Sequence, residues 1–262
     1  MELELLEERA ISGRKRSPVL FLHGAWHGAW CWAEYFLPYF SERGFHSYAL
    51  SLRGHGESEG REHLRWARIT EYVSDVEKAV SQMPEAPVLV GHSMGGLVVQ
   101  KYLEKNAAPA AVLLASVPVR GALGATLKIA FRHPLQFLKA NLCLRMYHIV
   151  GKPRLTREAF FSEEITETKL EEYFALIQDE SYLAFLDMAA FTLPNPEKVQ
   201  TNMLVLGAEN DRIFSSQEVE ATAKAYNAKS HIFPNMAHDM MLESGWKQVA
   251  DEIIAWFDQL GL

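Results

Sequence analysis

The sequence predicts an α/β protein with a mostly parallel central sheet flanked by helices, and three observations predict it. Short runs that are apolar throughout recur along the chain: "PVLFLHG" (18–24), "SYALSL" (47–52), "PVLVGH" (87–92), "AAVLLAS" (110–116) and "NMLVLGA" (202–208). They do not alternate, which is the pattern of parallel strands buried on both faces. Longer amphipathic segments lie between them, so strand and helix alternate. One stretch, 118–196, breaks the alternation and contains no such run.

Taken in order, the first residues are expected to add one or two edge strands. After "PVLFLHG", the segment "WAEYFLPYFSERG" reads as a helix that stops at Gly44. "SYALSL" is the next strand, followed by the helix "ITEYVSDVEKAVSQM", closed by Pro84. "PVLVGH" runs into the helix "SMGGLVVQKYLEKN". Beyond the interruption, "NMLVLGA", the helix "SQEVEATAKAYN", a strand around "KSHIF" and the helix "GWKQVADEIIAWFDQL" complete the chain.

Residues 118–196 therefore read as a helical lid inserted into a core made of 1–117 and 197–262. Its segments are loaded with large apolar residues, among them Phe131, Phe137, Met146, Tyr147, Phe160, Phe185 and Met188. Its charge is split. From Pro118 to Arg157 there are eight Lys or Arg and no Asp or Glu, whereas Glu158 to Glu197 holds ten acids and one Lys. Either the two halves lie together and partly neutralise each other, or the basic half forms a rim that draws in anionic substrates.

Composition bounds the function. A chain of 262 residues, 48% apolar, accommodates one α/β unit with an insertion. A net charge of −7 gives no basic face for nucleic acid. The acidic start "MELELLEERA" does not read as a signal peptide, so none is expected, and no stretch approaches the ~20 apolar residues that span a bilayer. Cys31 and Cys143 lack metal-ligand spacing and sit in apolar neighbourhoods, so free buried thiols and a cytoplasmic protein are expected. Monomer and dimer both remain open.

The chemistry centres on "GHSMGG" (91–96), of the form Gly-x-Ser-x-Gly between a buried strand and a helix. A serine on such a turn takes a strained backbone conformation with its hydroxyl clear of the sheet, and the flanking Gly91 and Gly95 leave room for the turn. A serine needs a base, and the base needs an orienting acid. Asp211 follows the run "TNMLVLGAEN", and His238 lies in the loop after the next strand; both fall past strand C-termini, where an open α/β sheet places its site. Glu209 is a rival for the acid, while "SVPVRGALG" offers no carboxylate. For the base, His231 lies within its strand, His92 is the variable elbow residue pointing away from the serine, and His55 belongs to the turn "RGHGES". The oxyanion formed on attack is expected to meet the N–H of Met94 and of Ala25, with Trp26 as the neighbouring candidate. Candidates for the substrate pocket are Trp26, His92, Phe131, Met146 and Phe185.

The pieces "LHGAW", "LRGHGES", "VGHSMGG", "GAENDRIF" and "AHDMM" occur in the order of the α/β-hydrolase superfamily, which the chain resembles on both sides of the insertion. The resemblance implies Ser93 as nucleophile, Asp211 as acid, His238 as base, and Ala25 and Met94 as oxyanion donors. Within the superfamily, "HGAWHGAWCW" is similar to the methylesterase and hydroxynitrile lyase branch and to bacterial esterases. The lyases carry a hydroxyl residue after the first "HG" and a lysine beside the catalytic His. Here those places hold Ala25 and "NMAHDMM", which favours hydrolysis.

The expected activity is hydrolysis of a small-molecule carboxylic ester with an apolar acyl group, without metal or organic cofactor. Lactones, including N-acyl-homoserine lactones, are the second reading and thioesters the third. A ligand receptor on a hydrolase scaffold is the reading from a different class. The first "HGAW" is expected to turn over the site, and Gly28 and Ala29 of the second to keep the first helix close to the elbow.

Overall fold

The computed structural model describes residues 1–11 and 16–262. Seven strands form one sheet: β1 (Leu5–Glu8), β2 (Val19–Leu22), β3 (Ser47–Leu50), β4 (Val88–His92), β5 (Ala111–Leu114), β6 (Met203–Ala208) and β7 (Lys229–Phe233). Their spatial order is β1-β3-β2-β4-β5-β6-β7. All neighbours pair in parallel except the edge strand β1, which runs antiparallel to β3. Every residue of β2 to β6 is buried, which is why these runs read as continuously apolar. β7, at the far edge, exposes Lys229, Ser230 and His231. The strand interior therefore does not bury His231, because no neighbour covers that edge.

Helices Ile69–Ser81 and Met94–Leu103 pack together, and the second lies on the central strands. Ser216–Ala225 packs on β6 and β7, and Trp246–Leu260 meets Phe36–Glu42. The first predicted helix is in fact two, Trp30–Ala33 and Phe36–Glu42. Between sheet and helices the rings of Phe21, Trp32, Phe36 and Phe40 interlock at centroid distances of 4.9–5.8 Å. All four are fully buried, and each such ring contributes roughly 2–3 kcal/mol by burial alone.

The segment between β5 and β6 holds six α-helices: Leu123–Arg132, Pro134–Cys143, Tyr147–Val150, Pro153–Phe160, Glu167–Leu176 and Tyr182–Leu186, the last running into a π-helical turn, Asp187–Phe191. Two buried acids anchor it. Asp187 receives a forked pair of hydrogen bonds from Arg68 (2.8 and 2.6 Å) and one from the Ile69 N–H (3.2 Å). Glu180 reaches further inward, as described below. Ion pairs also join its basic and acidic halves, Arg145 to Asp179 (3.0 Å) and Arg157 to Glu167 (2.5 Å), with Arg132 on Glu158. Lys128 and Lys139 have no ion-pair partner among the described residues. Cys31 is buried as expected, but Cys143 is exposed, because it ends a helix whose outer face nothing covers.

Candidate active site

The register Leu22↔Gly91 sets the start of the "HG" loop beside the elbow that follows β4. Ser93 has φ +51°, a left-handed conformation that a non-glycine residue holds only under strain. The glycines around it explain how the turn fits. A Cβ on Gly95 would lie 2.5 Å from the carbonyl oxygens of Leu22 and His23, and one on Gly91 would lie 2.5 Å from that of Gly95. From Pro87 to Gln100 every residue is buried except Ser93. Its side chain caps no N–H of the helix it precedes.

His238 and Asp211 meet from the loops after β7 and β6. Nδ1 of His238 donates to Oδ2 of Asp211 at 2.8 Å. Oδ1 of Asp211 accepts from the N–H groups of Ile213 (2.7 Å) and Phe214 (3.1 Å), which fixes the carboxylate. With the Nδ1 proton committed to Asp211, Nε2 of His238 carries the lone pair. Burial opposes a charge on His238, but the Asp211 carboxylate outweighs it and raises the imidazole pKa above its ordinary value. Glu209 instead accepts from the Asn235 N–H (3.3 Å) on the surface, and so is not the acid on His238.

His92 lies beneath this pair. It is 1% exposed, its ring centroid is 4.8 Å from that of His238, and its Nε2 donates to the His238 carbonyl at 3.0 Å. Burial, then the charge on His238, depress its pKa to about 3, so it is a neutral packing residue. A wall of the substrate pocket was the expectation for His92; a buried support for the His238 backbone is what the fold makes of it.

The loop after β2 has its own strain, since Trp26 has φ +67°. Two residues of the helical insertion hold it. The Trp26 N–H donates to Oε2 of Glu180 (3.3 Å), and the Trp26 carbonyl accepts from the Gln178 N–H (3.0 Å). Trp26 therefore has no backbone N–H to offer an oxyanion. The N–H groups of Ala25 and Met94 donate to no protein acceptor among the described residues. Glu180 is 1% exposed and also accepts from Tyr72 Oη (2.8 Å), His55 Nε2 (3.1 Å) and the Ser181 N–H (2.5 Å).

The second "HGAW" unit lies elsewhere than expected. Ala29 N–H donates to Ser51 Oγ (2.8 Å), and Gly28 faces Ser51 and Gly56, because the chain has by then turned away from the elbow toward β3. Its His27, however, returns to the site: Nε2 lies 2.9 Å from Oδ2 of Asp239, and Nδ1 lies 2.8 Å from the Ala25 carbonyl. Asp239 is fully buried beside His238. Burial raises its pKa, but His27, His92 and His238 together outweigh burial and the net shift is downward, keeping the carboxylate ionised. Sequence reasoning missed Asp239 and Glu180 because nothing local separates a buried acid from a solvated one.

A cavity of about 570 Å³ opens beside the site. Its walls include Trp26 of the β2 loop, Ile213 beyond Asp211, and Phe131, Ile149 and Leu155 of the insertion. Met146, fully buried, and Phe185, 8% exposed, belong to the hydrophobic core and do not line it, because their side chains pack the insertion together.

Comparison with known proteins agrees with this architecture. A model of the alpha/beta hydrolase family matches residues 19–252. Protein phosphatase methylesterase 1 of Bos taurus is 33% identical over 111 residues, 41% of this chain but only 29% of that protein. Methylesterase 2 of Arabidopsis thaliana is 31% identical over 94 residues, 35% of each chain. Among solved structures, a putative non-heme bromoperoxidase from Mycobacterium tuberculosis superposes with a TM-score of 0.79 at 17% identity, over 99% of this chain and 97% of the other. An esterase from Exiguobacterium antarcticum superposes with a TM-score of 0.73, also at 17% identity, over 98% and 95%. At that identity the likeness concerns the fold alone.

Proposed function

The chain belongs to the alpha/beta hydrolase family, and within it we propose that the protein cleaves carboxylic esters through an acyl-enzyme on Ser93. One observation supports this reading: a strained, partly exposed serine, a buried imidazole aligned by a carboxylate, and two free backbone N–H groups all follow the C-terminal ends of the parallel strands β2, β4, β6 and β7.

The roles follow from the chemistry. His238 Nε2 takes the proton from Ser93 as Oγ bonds to the ester carbonyl carbon. The negative charge passes to the carbonyl oxygen, where the Ala25 and Met94 N–H groups meet it; one such donor contributes about 3–4 kcal/mol to lowering the barrier. Asp211 stabilises the imidazolium. His238 then gives its proton to the leaving alcohol as the C–O bond breaks. A water, deprotonated by His238, releases the acid and restores Ser93. The mostly apolar cavity beside Trp26 and Ile213 suits the acyl group.

The test is turnover of a short p-nitrophenyl ester. Ser93→Ala is expected to lower kcat by about 10⁴-fold or more with the fold intact, and the wild type to release a burst of p-nitrophenol. Retention of most turnover by Ser93→Ala would sink the proposal. Ranking linear esters, lactones and thioesters by kcat/KM separates the substrate classes.

A further inference from the structure

The helices Leu123–Arg132 and Pro134–Cys143 expose an unusual face. Thirteen large apolar side chains are exposed among the described residues, and six of them fall in this twenty-residue stretch: Leu123, Leu127, Phe131, Leu135, Leu138 and Leu142. Their spacing is four, four, four, three and four, so within each helix they share one side. Phe131 is 85% exposed and Leu142 is 75% exposed, which is far from the ordinary half-covered surface leucine. Lys128, Arg132 and Lys139 each follow one of these residues directly and flank the apolar stripe. No acid lies anywhere between Pro118 and Arg157.

From this we propose that the two helices dock the protein peripherally on an anionic lipid surface. Apolar side chains flanked by lysine and arginine match both layers of such a surface, the acyl boundary and the charged headgroups. Lys128 and Lys139 lack an internal partner among the described residues, so their charges are available. The rest of the chain carries the acidic excess and is repelled from the same surface, which orients the molecule with this face down. A second copy of the chain fits less well. A two-fold contact would set the same basic residues against each other with no acid in the stretch to answer them. The same face borders the cavity, since Leu127, Lys128, Phe131 and Arg132 line it. The docking does not depend on the catalytic reading, because the test reads binding and not turnover.

The experiment is co-sedimentation of the full chain with phosphatidylcholine vesicles, with and without one third phosphatidylglycerol, at low and high salt. Binding to the anionic vesicles, weakened by salt and by removal of phosphatidylglycerol, is the expected result. Leu135→Glu with Leu142→Glu is expected to reduce binding to background, and Lys139→Glu to weaken it about tenfold. These residues lie outside the cavity and the catalytic groups, so thermal unfolding and turnover of a soluble ester report that the variants are folded. Failure of the wild type to bind anionic vesicles overturns the proposal, as does unchanged binding by the folded variants. A dimer in sedimentation velocity that the leucine variants dissolve assigns the face to a second copy and overturns it equally.

Discussion

Nε2 of His27 lies 2.9 Å from Oδ2 of Asp239, so a residue of the β2 loop holds the neighbour of the candidate base. Both ring nitrogens of His27 face oxygen atoms, the Ala25 carbonyl and the carboxylate. The contact joins the two loops that carry the proposed oxyanion donor Ala25 and the proposed base His238. Replacing His27 with Ala leaves a buried carboxylate uncompensated and is expected to cost about 3–5 kcal/mol of stability. Urea unfolding measures it; a loss below 1 kcal/mol would mean that the pair behaves as an exposed one.

The pH dependence of turnover follows from the His238–Asp211 pair. His238 serves as base only when neutral, and Asp211 raises its pKa above the ordinary 6.5. Activity should therefore fall as pH drops through an apparent pKa above 6.5 and level off at higher pH. In Asp211→Asn the raising charge is gone and burial dominates, so the limb moves downward while kcat falls by about 10⁴-fold. A kcat/KM profile for both proteins checks the direction; an unmoved limb would refute the assignment of Asp211.

Glu180 couples the insertion to the loop that carries Ala25. Glu180→Ala removes the acceptor of Trp26 N–H, His55 and Tyr72 together. A stability loss of about 3 kcal/mol is expected from these stranded donors. Because the loop holds the proposed oxyanion donor Ala25, kcat should fall more than KM rises. Equal effects on both constants would indicate a purely structural role.

Acid stability has a definite sign. The folded pKa of His92 is depressed to about 3 by burial and the nearby His238, and burial also pushes His23 well below its usual value. Below about pH 6.5 the unfolded chain binds protons that these folded residues refuse. Each therefore removes up to about 1.4 kcal/mol per pH unit as pH falls, until its folded pKa is reached. His238, shifted upward, acts in the opposite sense: its contribution is full below its unfolded pKa and is lost as pH rises through its folded one. The His238 contribution is constant below pH 6.5, so His92 and His23 set the slope there: stability is expected to decline from pH 6.5 toward 3, and His92→Gln to flatten that slope if it folds. Denaturation midpoints across this range decide it.

The strands and the elbow are legible in the chain because they are local. "PVLVGHSMGG" spells a buried strand, a turn that needs glycine on both sides of a serine, and a helix, and Ser93 sits at φ +51° where that reading requires it. Asp211 and His238 were also within reach, since each follows a strand in a fixed order, and they meet at 2.8 Å. The pocket walls were not. Phe131, Met146 and Phe185 are alike as large apolar residues of one insertion, yet of the three only Phe131 lines the cavity, because which side a helix of the insertion buries depends on the neighbours it meets.

The repeated "HGAWHGAW" divides along the same line. By itself the sequence determined that its first half ends a strand, and Gly24 there leaves room for His92 and Ser93 to press close. Only the tertiary structure decided that Trp26 N–H is spent on Glu180, that Gly28 faces Gly56, and that His27 meets Asp239 across 212 residues. Backbone geometry is written in short-range sterics, whereas a buried charge acquires its partner only from whatever distant segment the fold brings against it.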